Sequence, residues 1–246
     1  NPLGLSKIAP AIIEFGTDAQ RQTHLPRMLR GDDIWCQGFS EPNAGSDLAS
    51  LQCRAVLDVD HFVVNGQKTW NTLGHLANWC ELLVRTDPTV PKHRGISCRL
   101  VALTLPGVQV RPLITITGEQ EFNEIFFTDV RVPVSSMLGP LHDGWRVAMT
   151  TLAYERGTVA NLHLGLRAKI RRLIDDAALV GALDDPVKRQ ALAALYLEGE
   201  LLKLVSDRAI SGAIHGRAMG PEGFIATVVG SESEHHIGEV AGGVLG

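Results

Sequence analysis

Apolar and polar positions change their rhythm twice along the 246 residues. Near the start, AIIEFG closes at Gly16, Thr17 can cap, and DAQRQTHLPRMLRG runs to the next glycine. That pattern predicts a helix, a turn and a second helix between Ala11 and Arg30. From Ile34 to about Val134 the runs become short and apolar or alternating: LQCRAVLD, HFVVNGQKTW, WCELLVRT, ISCRLVALTL, VQVRPL and FNEIFFTDVRV. About seven closely spaced strands predict a compact antiparallel sandwich or barrel, with hairpin turns expected at Asn65-Gly66 and Pro106-Gly107. After Pro140 the period lengthens. Leu152, Val159, Leu162, Leu166, Ile170, Leu173 and Ala177 form one helical stripe, and Asp184, Asp185 and Pro186 then cap a new start. A second helix carries Leu192, Leu195, Leu202, Val205, Ala209 and Ala213 before Gly216. A third begins near Pro221 with Ile225, Val228 and Val229, then Ile237, Val240 and Val244. The expected fold class is therefore α+β multidomain: a helical segment over 1–33, a β domain over 34–138, and a helical bundle over 139–246, incomplete because its last helix has a face still unmatched.

Composition narrows the function classes. Hydrophobic residues make up 45% and charged residues 20%, and the net charge is -4, so nothing favours a polyanionic partner and no nucleic acid is expected. No apolar run approaches the roughly 20 residues of a membrane span, and NPLGLSKIAP lacks the layout of a signal peptide, which leaves the cytoplasm as the expected location. Cys36, Cys53, Cys80 and Cys98 are too dispersed for a disulfide scaffold and are expected to be reduced, partly buried thiols. The chain begins at Asn1 and stops at Gly246 in a pattern that reads as an unfinished helix, so it is expected to be a piece of a longer polypeptide.

Common catalytic signatures are missing. No GxGxxG follows a strand, no GxxxxGK[ST] or GxSxG occurs, and His235-His236 with Glu239 lacks the frame of a zinc helix, so no metal is expected. What stands out is Trp35 to Asp47, WCQGFSEPNAGSD, where an apolar run breaks into a turn. Pro42 fixes one backbone angle, Gly45 frees another, and the short polar side chains can fold back onto their own amides. Such a turn should present several N–H groups on one concave surface, fit for an anionic or carbonyl-rich ligand.

A family resemblance joins these pieces. WCQGFSEPNAGSDLASL, VVNGQKTWNTLGHLANW, LLVRTDP with KHRGIS, FNEIFFTDVRVP and GWRVAMTTLAYERG, in this order, resemble the acyl-CoA dehydrogenases over nearly the whole chain. The resemblance implies noncovalent FAD. Gln37, Gly38, Phe39 and Ser40 would pass along the isoalloxazine edge, with the Ser40 hydroxyl facing its polar atoms. Gly45 and Ser46 would lie near the flavin pyrophosphate and the pantetheine arm of the acyl-CoA. Trp70, Asn71 and Thr72 would form the second flavin contact. The implied reaction is α,β-desaturation of an acyl-CoA thioester to the trans-2-enoyl-CoA, the α proton going to a glutamate and the β hydrogen leaving as hydride to flavin N5. Electron-transfer flavoprotein is the implied electron acceptor, and a homo- or hetero-oligomer the implied assembly.

The chain also departs from that family. Most members carry the base on a Gly-Thr-Ser/Asp-Glu segment near the carboxy terminus, and GEVAGGVLG is not that segment. A minority place it on the first long helix of the carboxy-terminal domain, directly before an arginine, where Glu155-Arg156 stands here. Glu155 is thus the candidate base, and Arg156 a candidate contact for the CoA portion beside Ser46. Ala153 replaces an aspartate that often contacts the pantetheine arm, and no Arg-x-x-Phe-Gly segment follows. Two other classes remain open: a noncatalytic subunit of a heteromeric dehydrogenase, and an acyl-CoA oxidase.

Overall fold

The computed structural model describes residues 3–157, 161–217, 220 and 222–246, and its contacts divide the chain into units 1–154 and 155–246. In the first unit, a short π-helical segment at Gly4–Ile8 leads into α1 (Ala9–Phe15), Gly16 ends it, and α2 (Asp18–Arg30) follows. Thr17 and Gln20 form a reciprocal capping box, and Gly31 closes α2 in the left-handed conformation at φ 78°. The Gln20 amide then reaches the carbonyls of Ser135 and Met137 at 3.0 and 2.9 Å, docking α2 on the far end of the β segment.

Eight strands follow: β1 (Trp35–Gly38), β2 (Arg54–Asp58), β3 (His61–Lys68), β4 (Trp79–Arg85), β5 (Ile96–Ala102), β6 (Val108–Leu113), β7 (Phe122–Pro133) and β8 (Met137–Leu138). They make one sheet in the order β6-β7-β3-β2-β4-β5-β8, with β1 beside β4. The expected antiparallel closure needs correcting. The sheet is open, and both β1 and β2 run parallel to β4. Pairing direction depends on how the 39–53 turn carries the chain back to β4, which the strand runs alone do not encode.

The Asn65-Gly66 hairpin is a second correction. Both residues lie inside β3, at a bulge where pairing with β7 slips between Val64 and Gly66, and the reversal from β2 to β3 falls at Val59-Asp60. Gly66 has φ 150°, and a Cβ there would sit 2.7 Å from Cys53 Cα, so glycine is required by close approach within the sheet. Asn65 exchanges two hydrogen bonds of 3.0 Å with Asp129 across the bulge. Pro106-Gly107 does form a turn, with Gly107 at φ 88°.

β4 and β5 are covered on both faces. Cys80, Leu82 and Val84 join Val64, Ile125 and Val130 in one core, whereas Leu83, Cys98 and Leu100 join Ile12, Met28, Trp35 and Val147 in the other. The second core also takes residues of α3 (Gly144–Gly157). All four cysteines are buried and unpaired.

The second unit packs α4 (Leu162–Leu179), α5 (Pro186–Ile214) and α6 (Glu222–Leu245) around Leu166, Ile170, Leu173, Leu195, Leu202, Ala226 and Val240. The stripe expected to run from Leu152 to Ala177 is divided between α3 and α4, and Val159 lies outside the described residues. On α6 the buried face uses Ala226, Gly230 and Ser233, while Ile225 and Val228 are exposed. Small residues there let α6 approach its neighbours closely. His236 is bonded to Glu198 of α5 at 2.9 Å, and among the described residues no cluster of three metal-ligating side chains occurs.

Candidate functional site

β1 ends where its chain must pass very close to β4. A Cβ on Gly38 would lie 2.7 Å from Cys80 Sγ, so glycine allows the strand to continue straight into Phe39, Ser40 and the Glu41–Ala44 turn. That turn is closed by reciprocal Glu41–Ala44 backbone bonds of 3.0 Å. Its polar side chains then divide. Glu41 turns inward, and its carboxylate accepts from Gln52 N at 2.6 Å and Cys53 N at 2.9 Å. Gly45, Ser46 and Asp47 stay exposed, with Asp47 paired to Lys92 at 2.7 Å, which holds its carboxyl below the usual carboxylate range.

The second segment arrives from β3. Lys68 falls on the same buried side as Phe62 and Val64 and is fully enclosed. Its ammonium donates to Glu41 Oε1 at 2.8 Å and to the Phe39 carbonyl at 3.0 Å. Beyond it, Thr69 N donates to Ser40 O at 2.9 Å and the Asn71 amide donates to Gln37 O at 2.6 Å. Four bonds thus stitch 37–41 to 68–71. Burial pushes the neighbouring Cys53 thiol up to about 11, so it acts as packing rather than as a nucleophile.

Past this seam the backbone is strained. Trp70 and Leu73 adopt φ 60° and 57°, a left-handed conformation that non-glycine residues rarely take. Asn123 of β7 holds them there: its carbonyl accepts from Asn71 N at 3.0 Å, its amide donates to Asn71 O at 2.9 Å, and Glu121 O accepts from Leu73 N at 2.8 Å. The strain projects the Trp70 indole outward, 63% exposed, with the Phe122 ring edge-on to it at 5.8 Å. A large exposed aromatic in an over-determined conformation suits a planar ligand.

The structure therefore brings Gln37, Gly38, Phe39 and Ser40 together with Asn71 and the chain on either side of it. Gly45 and Ser46 stand on the adjoining exposed turn, and no described hydrogen bond ties them to 70–72. Glu155 and Arg156 occupy the last turn of α3, and their side chains lie outside the described residues. Two buried polar atoms at the seam, Gln37 Nε2 and Asn71 Oδ1, have no partner among the described residues. Such orphaned groups call for a ligand or water, and an unpaired donor and acceptor beside an exposed indole fit the polar edge and flat face of a flavin.

Residues 36–130 match the acyl-CoA dehydrogenase middle domain and residues 142–246 match the acyl-CoA dehydrogenase C-terminal domain. The chain belongs to the acyl-CoA dehydrogenase family. Acyl-CoA dehydrogenase IpdE1 of Mycobacterium tuberculosis is 39% identical over 249 residues, covering 100% of this chain and 64% of that protein. Isovaleryl-CoA dehydrogenase of Pongo abelii is 34% identical over 63% of this chain and 37% of its own length. Among solved structures, the Tcur3481-Tcur3483 steroid ACAD superposes with a TM-score of 0.94 at 31% identity, over 99% of this chain and 63% of the other. The ChsE4-ChsE5 complex from Mycobacterium tuberculosis gives 0.83 at 33%, over 100% and 64%. This chain thus spans less than two thirds of the length of these relatives.

Within this acyl-CoA dehydrogenase framework, Glu41, Lys68 and Asn123 are the residues that motif reading passed over. A signal existed for one of them: Lys68 occupies the apolar parity of its strand. Glu41 and Asn123 carried none, because what they hold is distant in sequence.

Proposed function

We propose that the protein of which this chain forms part catalyses FAD-dependent α,β-dehydrogenation of an acyl-CoA thioester. The observation that carries this reading is the seam joining 37–41 to 68–71, with orphaned Gln37 and Asn71 atoms beside the exposed Trp70. Gln37, Gly38, Phe39, Ser40, Trp70, Asn71 and Thr72 would hold the flavin ring, Gly45 and Ser46 its pyrophosphate, and Ser46 and Arg156 the CoA arm. When bound, FAD supplies the two-electron acceptor for the β hydrogen. Glu155 is assigned removal of the α proton, a task that needs a carboxylate sheltered from water and a stabilised enolate oxygen. We retain the three-part division at 33/34 and 138/139 for the whole protein, an oligomeric assembly, and electron-transfer flavoprotein as acceptor. The likeness to a steroid ACAD, at 31% identity, favours a bulky acyl group.

A second reading is a noncatalytic partner in a heteromeric dehydrogenase, favoured because two neighbouring structures pair different chains. Anaerobic addition of a bulky acyl-CoA to the full-length flavoprotein separates the two. Bleaching of the flavin absorbance supports the enzyme, and a flavin that no thioester bleaches supports the noncatalytic partner. In the Glu155→Gln variant bleaching should slow by orders of magnitude, and an unchanged rate removes Glu155 from the role.

A further inference from the structure

Lys68 is fully buried on a strand whose other inward side chains are apolar, so its ammonium needs a structural or functional reason to be there. Its two partners are unequal. One bond goes to the Glu41 carboxylate, which already receives two backbone amides; the other goes to a neutral acceptor, the Phe39 carbonyl. We propose that Lys68, held in place by Glu41, is a positioning residue that aims and strengthens the Ser40 amide as a hydrogen-bond donor to the flavin edge. This rests on the flavin reading above.

The argument is the geometry of one peptide group. The Phe39 carbonyl and the Ser40 N–H belong to the same planar unit, and no described peptide bond is cis, so the two point in opposite directions. A cation fixed on the carbonyl side therefore sends the N–H away from the buried interior. Among the described residues that N–H has no hydrogen-bond partner. The next unit is locked as well, because Ser40 O accepts from Thr69 N. A carbonyl bonded to a cation withdraws electron density from its own amide, and chains of hydrogen bonds polarise one another by about 10–30% per bond in a low-dielectric site. The buried charge thus reaches the ligand through a single amide, without touching it. Donors aimed at the ring's polar edge stabilise the charge that accumulates there on reduction, so the pair should raise the flavin's affinity for electrons.

The test uses the full-length protein loaded with FAD and titrated reductively against a reference dye. Lys68→Met removes the cation, and the Glu41→Gln/Lys68→Met double variant removes both charges and so avoids stranding a buried carboxylate. Arg131→Gln, which breaks the exposed Asp58–Arg131 pair of 2.7 Å, serves as control. Lys68→Met should disfavour two-electron reduction at least tenfold, a midpoint about 30 mV more negative. The double variant should shift the same way and the control should not. A native midpoint in either variant with stoichiometric FAD overturns the proposal. So does loss of FAD from the double variant accompanied by a collapsed melting temperature, whereas loss of FAD from that variant at native melting temperature supports it. If the unaltered full-length protein takes up no FAD, it is the flavin reading that fails.

Discussion

Replacing Arg99 by methionine should make the protein more stable. Arg99 lies on β5 opposite Leu82 and Met137, is fully buried, and among the described residues has no hydrogen-bond partner on any of its three guanidinium nitrogens. It does face the Phe62 ring, whose centroid is 3.5 Å from the guanidinium carbon. Burial pulls the Arg99 pKa down to about 10. Against the ordinary arginine value that displacement corresponds to about 3 kcal/mol, at roughly 1.4 kcal/mol per pKa unit. A desolvated cation–π contact returns up to about 2 kcal/mol, while methionine fills similar space without a charge. The net gain from Arg99→Met is therefore on the order of 1–3 kcal/mol, or very roughly 2–12 °C in melting temperature for a chain of this size. The pH dependence has a fixed sign. Below about pH 10 the folded and unfolded chains both carry the charge and the cost is present in full. Above it the folded side chain sheds its proton and the cost shrinks, so the advantage of the variant should narrow between pH 8 and 10.5. Urea denaturation at both pH values measures this, with Phe62→Leu and the double variant giving the coupling energy. A variant less stable than the native protein at pH 8 would refute the reasoning, because it would mean that Arg99 has a partner as good as water.

Glu81 of β4 supplies a second pH effect. It is fully buried, accepts from Thr151 Oγ1 at 2.8 Å, has no partner among the described residues for its other oxygen, and is pushed up to about 8 by desolvation. The folded state then holds a proton that the unfolded state has lost, so stability should fall by several kcal/mol between about pH 4.5 and 8 and level off above. Glu81→Gln should flatten that fall, as urea melts at pH 5 and 8.5 would show; parallel curves for the two proteins would contradict it. At the bulge, Gly66→Ala should cost about 2 kcal/mol, since the new Cβ meets Cys53 in a backbone conformation that alanine avoids. Thermal denaturation reads this directly, and an unchanged melting temperature would mean that the bulge slips to accommodate it.

The long elements were legible because their signals are local. Thr17, Gln20 and Gly31 bracket α2 by capping chemistry that any reader of the chain can see, and Leu166, Ile170 and Leu173 keep helical spacing through α4. Asn65-Gly66 misled because the same pair that suits a hairpin also suits a bulge, and only the approach of Cys53 decides between them. The open sheet was hidden for a related reason: parallel pairing of β1 and β2 with β4 is set by a long connection, not by alternation. At the candidate site, Gln37, Ser40 and Trp70 could be found from motifs, whereas the ion pair that joins their segments spans 27 residues.

Lys68 and Arg99 show most clearly where sequence reading stops. Lys68 stands on the apolar parity of its strand with Phe62 and Val64, whereas Arg99 alternates with Cys98 and Leu100 and reads as the polar position of a half-buried strand. Both are fully enclosed: Lys68 lies on the inward face of β3, and Arg99 on β5, which is covered on both faces. Their surroundings make them opposites. Lys68 meets a carboxylate and a carbonyl, so removing it alone strands Glu41 and should cost roughly 3–5 kcal/mol, the usual penalty for breaking a buried pair. Arg99 meets a ring face and, among the described residues, no hydrogen-bond acceptor, so removing it relieves a poorly compensated charge. The same change to methionine is thus expected to move stability in opposite directions at two sites in one domain, and the sign follows from what lies across the core, which no spacing along the chain records.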